Sequence, residues 1–249
     1  MSRVVFDFTG ENFVVTGASS GMGKQVAVEL AAAGANVLAI ARNEAILQEL
    51  QAQYPANISI AALDVCNSEK MENAIKDFVG ANGKLHGGVH AAGINNFTPL
   101  KTYDKSLANK IMDTSFWAGV ELARIVTKAK YANKGMSTVL FSSVCAQSDE
   151  KGMFAYASAK AAVNACVKSI AKEINAKGHR INSIMPGWVE NSTMTTSVDG
   201  MIDQNFKKKN HLLGLANPDD VTGMVLFLLS DRGSWITGSN IAVDGGYLA

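Results

Sequence analysis

The chain has 249 residues, 47% of them hydrophobic and 18% charged, with a formal net charge of +1. That length and apolar content can bury one large α/β core or two smaller ones, and the balanced charge argues against nucleic acid as a partner. The three cysteines Cys66, Cys145 and Cys166 lie far apart with no C-x-x-C pair, Met1–Asp7 holds no signal-like apolar segment, and no long apolar run occurs, so reduced thiols, no metal site, no membrane span and a cytoplasmic location are expected.

In chain order, Phe13–Thr16 reads as a buried strand. The glycine turn Gly17-Ala18-Ser19-Ser20-Gly21-Met22-Gly23 follows, and then a helix from Lys24 to Ala33 that Gly34 stops. Together they make an anion site, because unpaired backbone N–H groups and the positive end of the helix converge there. Gly17 suits the tight turn. Gly21 and Gly23 remove Cβ atoms from the path of a pyrophosphate and of the neighbouring strand. Glycine turns are common, and G-x-x-x-G-x-G is not the G-x-G-x-x-G spacing, so other residues must decide what binds.

Asn36–Ala41 is a second strand, Glu44–Gln53 a helix, and Ile58–Leu63 a third strand leading into Asp64. Ser68 is read as the cap of a helix to about Val79. Gly83, Gly87 and Gly88 are read as breaks before Val89-His90-Ala91-Ala92-Gly93. A long helix is expected over Leu107–Ala132, a strand over Thr138–Ser142, and a helix over Phe154–Lys177 stopped by Gly178. Ile181–Met185 is a sixth strand, Pro218–Ser230 a helix with proline in its first turn, and Asn240–Val243 a seventh strand. The rhythm predicts a single doubly wound Rossmann domain over residues 1–249, a parallel seven-stranded sheet with helices on both faces. It is interrupted only at about 191–217, read as an insertion above the sheet.

In such a sheet the ligand lies off the carboxyl ends of the strands. The residues found there are the glycine turn, Arg42, Asp64, Ala92-Gly93, Ser142-Ser143 and Pro186-Gly187. The second strand ends in Ala41-Arg42-Asn43, with no acid to hold a ribose 2′-hydroxyl. A guanidinium pairs with a 2′-phosphate, which favours NADP(H). Tyr156 and Lys160 stand at i, i+4 on one helix face. An ammonium beside a phenol lowers the phenol's pKa of about 10 and makes it useful for proton transfer. Ser143 is placed to donate to a carbonyl oxygen.

With these motifs in order along nearly its whole length, the chain resembles the short-chain dehydrogenase/reductase family. Thr16–Gly23 matches that family's T-G-x-x-x-G-x-G loop, Asp64-Val65 its D-V, Ala91-Ala92-Gly93 the end of its N-N-A-G, and Pro186-Gly187 its P-G. Ile236-Thr237-Gly238 and Asp244-Gly245-Gly246 match its C-terminal signature. The resemblance implies catalytic roles for Ser143, Tyr156 and Lys160. It implies cofactor contacts from Gly17, Ser19, Ser20, Gly21, Met22, Gly23, Arg42, Asp64, Val65, Ala92, Gly93, Tyr156, Lys160, Pro186, Gly187, Val189 and Asn191. Ser115 stands where the family has a relay asparagine, so a catalytic role for it rests on a shorter side chain. Asn191, Ser192 and Thr193 are alternative contacts to the carboxamide. His90 replaces an asparagine and is expected to be structural.

The expected function is NADP(H)-dependent hydride transfer between nicotinamide and a small-molecule carbonyl or secondary alcohol, of the kind seen with 3-oxoacyl thioesters, steroids and sugars. The expected assembly is a homodimer or homotetramer through the two long helices, with 191–217 covering the substrate. The alternatives are a nicotinamide-binding sensor or assembly subunit without turnover, which only Ser115 favours, and a dehydratase or epimerase on the same fold.

Overall fold

The structure is a computed structural model and describes residues 4–148, 151–190 and 210–249. Its centre is a parallel seven-stranded sheet in the order β3-β2-β1-β4-β5-β6-β7. The strands are β1 Asn12–Thr16, β2 Asn36–Ala41, β3 Ile58–Ala62, β4 Leu85–His90, β5 Ala132–Phe141, β6 Arg180–Pro186 and β7 Asn240–Val243. The helices are α1 Gly21–Ala32, α2 Glu44–Gln53, α3 Ser68–Asn82, α4 Lys105–Met112, α5 Ala118–Val126, α6 Phe154–Ile174 and α7 Pro218–Leu229.

The two faces of the sheet follow from alternation along the strands. Phe13, Val15, Val37 and Ala39 pack with Val26 and Leu30 of α1, Leu47 of α2 and Val225 of α7. Val14, Leu38 and Ile40 pack with Met71 and Ile75 of α3 and Leu122 of α5. Both faces are therefore covered, and the residues of β1 and most of β2 are buried. Sequence order reverses between β1 and β4, so the carboxyl ends of these neighbouring strands open a crevice.

Several boundaries differ from the sequence reading. Helix α1 begins at Gly21, in the glycine turn itself, rather than at Lys24. Asn67, not Ser68, caps α3, its side chain accepting from Lys70 N at 3.0 Å. Gly87 and Gly88 lie inside β4 instead of breaking the chain. A Cβ on Gly87 would come within 2.8 Å of the Phe13 ring and 2.9 Å of Leu229, so core packing demands glycine in that strand.

The expected helix Leu107–Ala132 is three pieces: α4, a π-helical turn Asp113–Trp117, and α5, which ends at Val126. The Thr127 hydroxyl turns back to the Ala123 carbonyl at 2.7 Å, and Tyr131 buries itself against the sheet. The chain thus enters β5 at Ala132, six residues before the predicted strand start.

His90 ends β4 and is structural, as expected. Its Nδ1 lies 2.9 Å from Thr16 Oγ1 and its Nε2 3.0 Å from the Thr114 carbonyl. A carbonyl only accepts, so Nε2 carries the hydrogen and Nδ1 accepts from the threonine hydroxyl. The ring fits because residue 119 is glycine, where a Cβ would meet it at 2.9 Å. Full burial, with Lys160 nearby, drives the His90 pKa down to about 3. The unfolded chain takes up this proton near pH 6.5, whereas the folded protein refuses it until about pH 3. His90 therefore contributes stability above pH 6.5 that is lost as pH falls towards 3. Urea unfolding from pH 7 to pH 4 should show this fall, and His90→Asn should make it shallower. An equal fall in the variant would remove His90 as its source.

Candidate functional site

At the end of β1 the backbone turns at Gly17 with a φ of 74°. A Cβ there would lie 2.6 Å from Ala92 N and 2.7 Å from the Ala91 carbonyl carbon. Only glycine allows this turn to touch the segment leaving β4. A Cβ on Gly23 would strike the Gly17 carbonyl, so the first turn of α1 folds back on the same point. The N-terminus of α1 is thereby aimed into the crevice, and its first turn has no acidic residue.

The crevice is a cleft of about 360 Å³. It brings together the predicted Gly17, Ser19, Ser20, Gly21, Met22, Gly23, Arg42, Asp64, Val65, Ala92 and Gly93. Arg42 is exposed where β2 ends. Asp64 accepts from Cys66 N at 2.9 Å, and this hydrogen bond, helped by Arg42 and Lys110, holds its carboxyl below the usual range. It stays ionised, an acceptor at neutral pH. The cleft also takes Asn43, Ile46, Leu63 and Thr114, which the sequence reading missed. For Asn43 a signal existed: it follows Arg42 directly and precedes a helix, and its side chain caps α2 by accepting from Ile46 N. Thr114 had none, because its position depends on the π-helical turn.

Ser143, Tyr156 and Lys160 stand off the neighbouring strand ends. Ser143 follows β5 in extended backbone, and its Oγ accepts from Cys145 N at 3.2 Å. That bond uses a lone pair and leaves the hydroxyl hydrogen to be given elsewhere. Tyr156 and Lys160 are both buried on the inner face of α6. The Lys160 Nζ lies 5.5 Å from the centre of the Tyr156 ring and donates to the Phe141 carbonyl at 2.8 Å. Burial pulls the Lys160 pKa down to about 8. Ser142 Oγ donates to the Lys160 carbonyl at 2.9 Å and so ties α6 to the end of β5. Ile94, Cys145, Met153 and Trp188 pack in the same apolar cluster as Tyr156.

Ser115 lies in the π-helical turn, fully buried, and its Oγ accepts from Ile94 N at 3.3 Å. Such turns occur at functional sites because the extra residue re-aims a side chain. Pro186 and Gly187 end β6 and do not line the glycine cleft. The Val189 side chain is packed into the core. Asn191 and residues 192–209 lie outside the described residues, and with them most of the expected covering segment.

Fold and cleft together define an α/β protein with a dinucleotide cradle. Residues 17–248 match the family model described as "Enoyl-(Acyl carrier protein) reductase". The chain is 31% identical to a 3-oxoacyl-[acyl-carrier-protein] reductase FabG of Rickettsia conorii, across 98% of this chain and 99% of that protein. It is 31% identical to a D-erythrulose reductase of Gallus gallus, across 97% of each. A short-chain type dehydrogenase/reductase from Mycobacterium ulcerans superposes with a TM-score of 0.88 at 30% identity, over 98% of this chain and 91% of that one. The chain belongs to the short-chain dehydrogenase/reductase family. It is an oxidoreductase of carbonyl and alcohol groups that uses a nicotinamide cofactor and acts on small molecules. No helix among the described residues is long and apolar enough to cross a membrane.

The cradle fits such a cofactor, since Gly17 and Gly23 let the turn close against the end of β4 and against itself, and the start of α1 faces the cleft. Gly23→Ala should push the turn off α1 and weaken nicotinamide cofactor binding by at least about tenfold. Fluorescence titration with circular dichroism checks this. Unchanged affinity in a folded variant would show that the turn does not hold the cofactor.

Proposed function

We propose that the protein is an NADP(H)-dependent reductase of carbonyl compounds whose reacting carbon carries an apolar chain or ring. The observation that carries this reading is the buried pair of Tyr156 and Lys160, Nζ 5.5 Å from the ring centre, in a fold whose glycine cleft has Arg42, and no acid, where β2 ends. Residues Gly17–Gly23, Asp64, Val65, Ala92 and Gly93 hold the cofactor. Arg42 pairs with the 2′-phosphate. Pro186, Gly187, the Val189 backbone and Asn191 line its nicotinamide end.

The bound nicotinamide supplies the hydride. Ser143 and Tyr156 donate hydrogen bonds to the substrate oxygen, and Tyr156 delivers the proton. The buried Lys160 ammonium stabilises the phenolate this leaves, and burial strengthens that effect by lowering the local dielectric. Ser115 serves a proton path behind Lys160. The apolar wall of Ile94, Cys145, Met153 and Trp188 supports a substrate that is greasy next to its carbonyl, as a 3-oxoacyl thioester is. The three free cysteines suit a cytoplasmic enzyme, and the partly exposed Trp117 and Phe154 suit pairing of copies through α4–α5 and α6 as a homodimer or homotetramer.

Tyr156→Phe should abolish turnover in a carbonyl panel, with NADPH affinity within about threefold of the parent. A variant that still reduces carbonyls at the parent rate would sink the assignment. Arg42→Ala should weaken NADPH at least about tenfold and NADH less than about twofold. Equal losses for both cofactors would show that Arg42 does not read the 2′-phosphate.

A further inference from the structure

The chain ends in a turn built onto the candidate site. The carboxylate of Asp244, just after β7, accepts from Gly246 N through one oxygen and from Leu248 N through the other, each at 3.0 Å. These bonds fold Asp244–Ala249 into one compact piece. Tyr247 lies on it and stacks on His211, with ring centres 4.9 Å apart and planes inclined by 33°. A backbone strap, Leu213 N to the Gly245 carbonyl at 3.0 Å, joins the same two segments.

His211 is buried, and its Nε2 accepts from Trp188 N at 2.9 Å. A backbone N–H only donates, so this ring nitrogen is unprotonated. Gly187 sits equally close, since a Cβ there would lie 2.8 Å from the same Nε2. Trp188 is where the chain leaves β6, and its side chain packs in the cluster around Tyr156. The imidazole thus rests on the backbone that sets one wall of the site.

We propose that His211 is a positioning residue for the carbonyl substrate. It holds the Gly187–Trp188 backbone, and with it the Trp188 wall beside Tyr156, while the C-terminal turn clamps the imidazole through Tyr247. The proposal rests on the reductase reading above. The segment leaving β6 is also held by Gly187 N on the Val243 carbonyl at 3.2 Å and by Ala216 N on the Trp188 carbonyl at 3.1 Å. His211 adds the tie at Trp188 N, and a displacement of about 1 Å in a wall of this kind weakens substrate placement strongly. The glycine cleft is built at the ends of β1 to β4 and should not feel the change.

The test uses the full-length protein in a Trp117→Phe/Trp235→Phe background, which leaves Trp188 as the sole tryptophan. His211→Leu and Tyr247→Leu should shift the Trp188 emission. They should raise KM for a carbonyl substrate about tenfold, with the dissociation constant for adenosine 2′,5′-bisphosphate, which reaches only the glycine cleft, within about twofold. His211→Gln, whose Oε1 reaches about as far as Nε2, should return KM to within about threefold of the parent. Unchanged emission and KM in both leucine variants would overturn the proposal. So would a parallel loss of affinity for adenosine 2′,5′-bisphosphate, which marks general loosening, or a glutamine variant no better than leucine. If His211→Leu does not fold, Tyr247→Leu and His211→Gln make the same comparison. If no carbonyl compound is turned over, the reductase reading fails, while the Trp188 emission still decides whether His211 holds this wall.

Discussion

The structure depends on one close approach. At the crossover of the sheet, the Gly17 turn touches the Ala91–Ala92 backbone, and the first turn of α1 touches the Gly17 carbonyl. Side chains at positions 17 and 23 would drive these segments apart, because packed interiors cannot absorb a clash with backbone. Everything that makes the cleft follows from it. The start of α1 points inward, the ends of β2 and β3 bring Arg42 and Asp64 to the rim, and the end of β4 forms the floor.

His90 locks this approach to the next layer. Its two nitrogens bond to Thr16, one residue before Gly17, and to Thr114 in the π-helical turn. Glycine loop, β4 and the helix carrying Ser115 are thus one polar unit inside an apolar core. In such surroundings an unpaired group is costly, so each partner fixes the others. The same economy recurs at Lys160, whose ammonium bonds to the Phe141 carbonyl while Ser142 holds the Lys160 carbonyl. Burial is what pulls the lysine pKa down.

The strand–helix rhythm was legible because apolar runs and glycine stops are local. Six of the seven strands lie where the residues place them, two with the same bounds and four with ends shifted by one to six positions, while β4 runs through the glycines read as breaks. The errors share a cause. Gly87 and Gly88 looked like breaks, yet both lie in β4, and at Gly87 the side chains of Phe13 and Leu229 crowd in from elsewhere in the chain. The Leu107–Ala132 run looked like one helix, yet Tyr131 gains more by burial on the sheet. In each case a distant contact overrode a local preference.

The sequence by itself determined the glycine spacing, Arg42 at the end of β2, and the i, i+4 pairing of Tyr156 and Lys160. These are properties of neighbours along a chain, and backbone periodicity turns them directly into geometry. Tertiary structure alone decided that Thr114 lines the cleft, that Val189 turns into the core, and that His211 reaches Trp188 N. Each depends on segments that meet only after the sheet has closed, and no residue pattern announces a contact between side chains tens of positions apart.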